Sequence, residues 1–543
     1  MRRKLLPLLA AAIFTAMSPI AQAQDAPRTE VGAVSGGTLR VAVGRLTSYN
    51  LIPHDNTWIG IFLNQFEALV RVDNDGVFHP WLAKSWEISD DGKTYTFKLR
   101  DDVVFQDGDK LNAEAVKFLF DSLYEGKLAR ITSYKAGLLF RFKEARVIDK
   151  YTFQVELTAP DASFLTRIAT LGGSIVSPSS IKALKPENLG DSLKGTGPFE
   201  LVEVVPDQRL VYKRFDKYNW AAGNARHDGP AYLDGLRVEA VSDPAVRSGL
   251  LASGQVDFIT EVGLNDIPLF TDKPDFQFVS RKDNSVPWTF YFNTKGFATD
   301  DIRVREAFRE ALDLDGLVGS IYQSSGKRAW SQIASGSRYY SKSVEGSYSN
   351  NVERANALLD EAGWTGRNAE GIRTNEKGEA LELVLLDRGL FGRNKLFGEA
   401  VQQVLRENAG IKFTFDTVDM AQGFAKRSEN KYSVFHTQIG GYDIGESLVN
   451  LFASHGVMNF VKVSDPDLDR LLAKQSEALN LEERARYIAS IEDYILNKQK
   501  LVLPIVEPLV NVAASARVQN VDASFAPIRN YFGPDAYEIW LKP

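Results

Sequence analysis

Not one of the 543 residues is a cysteine, so no disulfide can staple this chain and its fold must rest on buried apolar surface and hydrogen bonds alone. About 520 residues remain behind an N-terminal leader, which is more than one core can organise, because single hydrophobic cores stop growing near ~250–300 residues. At least two lobes are therefore expected. The leader reads as an export signal. Arg2, Arg3 and Lys4 form a basic n-region, Leu5 to Met17 an apolar h-region, and Ala21-Gln22-Ala23 a small-residue cleavage site, which predicts a signal peptide over residues 1–23 and a mature start at Gln24. Without cysteine the mature chain cannot carry a lipid on an N-terminal Cys, which predicts a free periplasmic protein and not a lipoprotein.

No later run approaches the ~20 apolar residues of a membrane-spanning helix. The formal charge is −6, and it falls to −9 once the three cations of the leader are removed. Mild acidity without a basic stripe argues against a nucleic-acid partner. The composition, 44% hydrophobic and 25% charged, is that of a globular α/β chain, and a monomer is expected.

Residues 68 to 110 read as a β-meander, since Asp75-Gly76, Asp91-Gly92 and Asp107-Gly108 each sit between apolar stretches and Asp-Gly suits a tight hairpin. Tyr95, Phe97 and Leu99 alternate with Thr94, Thr96 and Lys98, which predicts one buried and one wet face. A helix is predicted from the cap Asn112, with Val116, Leu119 and Phe120 on its apolar stripe. Tyr151, Phe153, Val155 and Leu157 alternate as a further strand. The second half is more helical: Val304, Phe308, Ala311 and Leu312 share one face, and Ala355, Leu358, Leu359 and Ala362 another that is closed by Gly363. Phe397 to Leu405 form a third, followed by a strand over Ile411 to Phe415. Asp465-Pro466 is a cap with Pro at the first helical position, and Asn480 with Glu483 resembles a capping box. Apolar β-type sequence returns at Leu501-Val502-Leu503 and Leu509-Val510. No low-complexity linker is present, so short crossings must join the lobes.

Eight segments, taken together and in order, resemble the extracellular solute-binding protein family 5, the receptors of peptide, nickel and opine ABC importers. They are Gly36-Gly37-Thr38-Leu39-Arg40, Pro80-Trp81-Leu82-Ala83-Lys84-Ser85-Trp86, Asp91-Gly92-Lys93-Thr94-Tyr95-Thr96-Phe97-Lys98-Leu99-Arg100, Gly195-Thr196-Gly197-Pro198-Phe199, Ser253-Gly254-Gln255-Val256-Asp257, Phe292-Asn293-Thr294 with Asp301-Ile302-Arg303-Val304-Arg305-Glu306-Ala307, Leu358-Leu359-Asp360-Glu361-Ala362-Gly363-Trp364, and Ser464-Asp465-Pro466-Asp467-Leu468-Asp469-Arg470-Leu471-Leu472. The resemblance implies an α/β, two-lobe periplasmic binding protein fold of class II, cluster C type, with a β-rich insertion in the first lobe. By position the first lobe would comprise 24–281 and 506–543, with the insertion over 51–190, and the second lobe 282–505. Crossings would fall near Arg281 to Pro287 and Pro504 to Pro508, and closure about them would enclose a solute.

Five segments fall where that family lines its cleft. Asn56, Thr57 and Trp58 offer amide, hydroxyl and indole donors, or form an exposed turn with Trp58 packed locally. Arg130 and Tyr134 supply a charge and a phenol, or belong to a solvated loop. Trp288, next to the crossing, is either a ring platform or a core residue, since one face of its alternating strand must be buried. Arg388 and Arg393 bracket Gly389 and Gly392 ahead of a helix beginning near Asn394, where amides and the helix dipole favour an anion; they either clamp a carboxylate or lie in a solvated loop. Gly441, Tyr442 and Asp443 follow a β-type run, and Asp443 occupies the place where peptide-binding members hold an aspartate for the α-amino group. The sequence after it, Ile444-Gly445-Glu446, lacks the Asp-Pro pattern of many peptide receptors, which leaves an opine or another amino-acid conjugate equally open.

Local catalytic signatures are absent: there is no Gly-x-Ser-x-Gly elbow, His-Glu-x-x-His, phosphate loop or dinucleotide fingerprint. The five histidines, His54, His79, His227, His436 and His455, are scattered, so neither a metal nor a cofactor is expected; His54 and His436 could meet only around a chelate. Asp73-x-Asp75-Gly76 lacks the remaining ligands of a calcium loop and reads as a turn. The sequence thus points to a non-enzymatic receptor that takes a small zwitterionic or anionic solute to ABC permease subunits. A metal-chelate receptor, for nickel or a siderophore- or haem-like ligand, is the alternative, and a periplasmic hydrolase or folding factor a more distant one.

Overall fold

A computed structural model describes residues 28–46, 61, 63–73, 76–125, 139–169, 173–184, 193–282, 285–348, 350–387, 389–390, 392–440, 443–524 and 534–543. Strand β1 (Thr38–Val43) opens the fold. A short hairpin, β2 (Val70–Val72) with β3 (Phe78–Pro80), precedes a four-stranded antiparallel sheet of β4 (Ala83–Ile88), β5 (Thr94–Leu99), β6 (Phe142–Asp149) and β7 (Thr152–Leu157), in the order β4-β5-β7-β6. Helix α1 (Ala113–Tyr124) covers it through Phe120, whose ring meets Phe142 and Phe153. The chain then returns through β8 (Phe199–Val205), β9 (Arg209–Arg214), β10 (Gly235–Ala240) and β11 (Phe258–Thr260), and β1 runs parallel to both β10 and β11.

Strands β12 (Phe276–Lys282) and β13 (Val286–Phe292) lead into the second half. There α2 (Ile302–Glu310), α3 (Leu314–Tyr322) and β14 (Gly326–Arg328) are followed by α4 (Val352–Glu361) and a small hairpin of β15 (Gly366–Arg367) and β16 (Arg373–Thr374). Strand β17 (Glu382–Asp387), helix α5 (Gly392–Ala409), β18 (Lys412–Thr417) and β19 (Val434–Ile439) come next, β17 lying parallel to both other strands. Helices α6 (Ile444–Phe452), α7 (Pro466–Glu477) and α8 (Leu481–Asp493) lead to β20 (Val502–Ser515).

That last strand belongs to both halves. Its residues 502–506 pair with β13, and its residues 509–515 pair with β12, so the sheet is continuous in the order β18-β17-β19-β13-β20-β11-β1-β10-β9-β8. The apolar cores stay separate. One cluster gathers residues of β1 to β11 with Val510, Val512 and the C-terminal Tyr537 and Ile539; two others gather residues 286–506 on opposite faces of β13.

Local signals explain most of these elements. Asn112 caps α1 by accepting from the Ala115 amide at 2.9 Å, Asp465 caps α7 through the Asp467 and Leu468 amides, and Asn480 caps α8 through that of Glu483. Tyr95, Phe97 and Leu99 are buried along β5 while Lys98 is exposed, each fully buried ring or aliphatic chain contributing on the order of 1.5–3 kcal/mol.

Two expectations are corrected. Residues 68 to 110 are not one meander: the first Asp-Gly region joins the separate hairpin β2-β3, Asp91-Gly92 joins β4 to β5, and Asp107-Gly108 closes only an isolated bridge between Val104 and Lys110. The inner neighbour of β5 is β7, which arrives from much later in sequence, Phe97 pairing with Phe153, because a half-buried face is satisfied by whichever strand completes the core. Strand β13, read as having one core face, is buried on both. Trp288, Phe290 and Phe292 pack into one cluster and Tyr291 into the other, and a register shift between Val286 and Thr289 turns Val286 toward the face of Tyr291.

Candidate functional site

Ligands of open α/β sheets settle at the carboxyl ends of the parallel strands, where the chain leaves the sheet. In the first half, Thr260 at the end of β11 pairs with Val512 and Phe258 with Ala514, so β1, β10 and β11 all point toward the middle of β20. In the second half, Trp288 pairs with Val506 and Tyr291 with Val502, while Ile439 at the end of β19 pairs with Val286. Strands β17, β18 and β19 therefore end toward the same stretch. Both sets of strand ends converge on the crossing made by β12, β13 and β20.

Asp387, the last residue of β17, is 3% exposed and organises the second-half crest. It accepts from the amides of Gly389 (2.8 Å) and Leu390 (2.7 Å), from Thr417 Oγ1 at the end of β18 (2.8 Å), and from His436 Nε2 (3.2 Å). Trp288 Nε1 lies 3.3 Å from His436 Nδ1. An indole N–H can only donate, so Nδ1 is the acceptor and the neutral imidazole carries its proton on Nε2, aimed at Asp387. Burial alone would raise the Asp387 carboxyl, but the bonds from His436, Thr417 and Gly389 outweigh it and hold the group at about 2.

Trp288 is 3% exposed, with Phe397 edge-on at 5.5 Å; its ring is core, and its indole nitrogen serves His436. Arg393 lies in the first turn of α5, half-buried, and its Nη1 donates to the Ile321 carbonyl in the last turn of α3. Helix α5 begins at Gly392, just ahead of the expected start. Arg388, Gly441 and Tyr442 lie outside the described residues, as do Asn56, Thr57, Trp58, Arg130 and Tyr134.

Asp443 caps α6, accepting from the Glu446 amide at 3.0 Å. It is 7% exposed, paired with Arg484 of α8 (Nη1 to Oδ2, 2.7 Å), and accepts from Ser163 Oγ, in the segment that follows β7, at 2.9 Å. Burial would raise its pKa, but the Arg484 charge and these hydrogen bonds keep it below the ordinary carboxylate range. Arg393 and Asp443 thus face different partners.

The first-half crest is held by a residue that sequence reading passed over. Arg247, 2% exposed, donates to the carbonyls of Val241 (2.6 Å), Ser242 (3.1 Å), Thr260 (3.1 Å) and Glu261 (2.9 Å), tying the ends of β10 and β11 together. Glu261 follows β11 with φ of 52°, and its carboxylate stands 3.7 Å from Arg247. Burial pushes that carboxyl up, and Arg247 and Arg45 pull it back. A Cβ on Gly44, the residue after β1, would lie 2.0 Å from Glu261 Oε2, so glycine here leaves the carboxylate its place beside Arg247, and a larger residue would push that side chain aside. The available signal for Glu261 and Asp387 was position: each closes an apolar strand run, Phe258-Ile259-Thr260 and Leu383 to Leu386. Ser163 and Arg484 gave no local signal at all.

Among the described residues no group of three or more His, Cys, Asp or Glu is placed to hold a metal ion, and no helix is long and apolar enough to cross a membrane. His436 has both ring nitrogens engaged. His79 pairs with Asp73 (2.7 Å), and His227 stacks on Tyr537; His54 lies outside the described residues.

A family model for bacterial extracellular solute-binding proteins, family 5, matches residues 77–459, well over half of the chain. Heme-binding protein A of Haemophilus influenzae is 27% identical over 490 residues, covering 84% of this chain and 83% of that protein. The dipeptide-binding protein of Escherichia coli is 32% identical over 305 residues, 52% of this chain and 55% of its own length. Among solved structures, NikA from Brucella suis in complex with Fe(III)-EDTA superposes with a TM-score of 0.79 at 22% identity, covering 93% of this chain and all of that one, a likeness of fold.

Proposed function

The chain belongs to the bacterial extracellular solute-binding proteins of family 5, the substrate-binding receptors of ABC transporters, and from that premise we propose that it captures a small zwitterionic or anionic solute, such as a peptide, an opine or an amino-acid conjugate, without turning it over. The solute is enclosed where the two sets of strand ends converge, and the observation that carries this reading is the strand polarity on either side of β20. Lobes of about 24–281 with 506–543 and 282–505 close about the crossing segments. The protein works as a periplasmic monomer freed of residues 1–23, and delivers its solute to the permease.

Those relatives are a heme-binding protein, a dipeptide-binding protein and a protein held in complex with Fe(III)-EDTA, so the choice among solutes rests on the crest residues. His436 supports a solute that is not a bare metal: Trp288 donates to one nitrogen and Asp387 accepts from the other, so ligation would cost an existing hydrogen bond. Arg393 in the first turn of α5 carries a positive charge whose Nη1 is held by the Ile321 carbonyl, and Glu261 in the opposite crest carries a carboxylate held beside Arg247, so each crest has an anchored charge for a solute to share. Mass spectrometry of the small molecule released when purified protein is denatured tests the reading. An amino-acid-derived zwitterion or anion, present in stoichiometric amount and raising thermal stability when added back, is expected. A stoichiometric metal, or catalytic consumption of the returned molecule, would overturn it. Bound solute at a hundredfold excess over Kd should stabilise by about 2.7 kcal/mol.

A further inference from the structure

The seam between the insertion and the helices of the second half is built from charges that are paired before they meet. Past β7 the chain presents Asp161 (2% exposed) and Ser163 (3%), then the short helix Phe164–Ile168 carrying Arg167 (6%). Opposite stand Asp443, Glu446 and Arg484. Arg167 pairs with Asp161 on the insertion side, and Arg484 pairs with Asp443 on the other. Between the sides, Ser163 Oγ donates to Asp443 Oδ1 (2.9 Å) and accepts from Arg484 Nη2 (3.1 Å), the Ala162 amide donates to the Ser476 carbonyl (2.8 Å), Arg167 Nη1 reaches Glu446 Oε2 (3.3 Å), and Arg141 Nη2 reaches Glu477 Oε1 (3.2 Å).

Parting a buried ion pair is strongly unfavourable, because it leaves a desolvated charge unmatched. Parting this seam does not do that. Asp161 leaves with Arg167, and Asp443 leaves with Arg484, so each buried carboxylate keeps its own arginine. What is lost is a handful of hydrogen bonds and the contacts of Arg167 to Glu446 and of Arg141 to Glu477, whose carboxylate side chains are already 29% and 48% exposed and return readily to water. Such a seam can separate and re-form while both surfaces stay charge-balanced.

We propose that this seam is a reversible clasp that joins the insertion to the second lobe in the closed receptor, with the Ser163 hydroxyl coupling the two prepaired sides. It rests on the reading of the molecule as a closing receptor and adds that part of the closure free energy lies outside the solute site. Asp443 is then a clasp residue, and the solute needs no ammonium group to satisfy it.

Because the chain has no cysteine, the double variant Ala162→Cys with Ser476→Cys can form only one disulfide, and backbones joined by a 2.8 Å amide-to-carbonyl bond lie within the ~4.4–6.8 Å Cα spacing that a disulfide bridges. The protein is stripped of solute by unfolding and refolding, and its cross-linking rate under mild oxidant is measured. Cross-linking is expected, slowed about tenfold by adding Ser163→Ala or Glu446→Gln and unaffected by Glu482→Gln on the exposed face of α8. In parallel, the cysteine-free Ser163→Ala and Glu446→Gln proteins should show a larger radius of gyration than the parent when all are solute-free. Equal cross-linking rates, no cross-link in a protein folded by circular dichroism, or an unchanged radius in both single variants would each overturn the clasp. These arms use no solute, so the clasp can fail while the co-purified molecule still upholds the receptor, and the reverse.

Discussion

Asp387 shows how much a single strand-end carboxylate can determine. It holds the next turn through two amides, ties β17 to β18 through Thr417, and fixes the tautomer of His436, which in turn engages Trp288. Its pKa is depressed to about 2, below the ~3.9 of an unfolded aspartate, so its stabilisation is fully present above pH ~4 and is lost as pH falls through about 2. The size of that contribution is about 2–3 kcal/mol at neutral pH. Asp387→Asn should therefore lower stability by roughly that amount at pH 7 in urea unfolding, and the gap to the parent should close as the medium is acidified toward pH 2; a gap that stays constant with pH would contradict the assignment. The sequence leaves Trp288 as either a ring platform or a core residue, and its packing against Phe397 places the ring in the core. Asp387 was not singled out, because its importance depends on neighbours 30 and 49 residues away.

At the scale of elements, local chemistry carried the reading where a short segment determines its own geometry. Asp465 ahead of Pro466 and Asn112 ahead of α1 are caps in the structure as in the sequence, and Gly363 and Gly410 end their helices at φ of 87° and 64°. Asp465→Ala should cost about 1 kcal/mol, visible as a lower melting temperature, and an unchanged melt would mean that α7 is held by packing alone. Pairing between distant strands was not legible: the run Thr94 to Leu99 specifies a half-buried strand, but nothing in it names β7 as its inner neighbour. The same limit hid the seam, where Asp443 meets Arg484 across 41 residues and Ser163 across 280. The β4-β5 turn reaches that seam. Gly92 has φ of 68°, and a Cβ there would lie 2.6 Å from Leu479 Cδ1, so Gly92→Ala should cost about 1–2 kcal/mol from the left-handed backbone and also slow seam cross-linking. If it lowers the melting temperature but leaves the cross-link rate intact, the turn does not take part in the seam.

For the whole molecule, a chain without disulfides keeps the apolar clusters of its two halves apart while β20 runs through both halves of one continuous sheet. The strand polarity about β20 directs both sets of carboxyl ends to the crossing, which is where the proposed function places the solute. Solute and seam then act on one coordinate, the separation of the lobes. Small-angle scattering reads that coordinate: the protein is measured solute-free after refolding and again after its co-purified molecule is returned at saturation. A smaller radius of gyration with the molecule bound is expected, reversed when the molecule is dialysed away. Tight stoichiometric binding with no change in radius would mean that the solute sits elsewhere than between the converging strand ends.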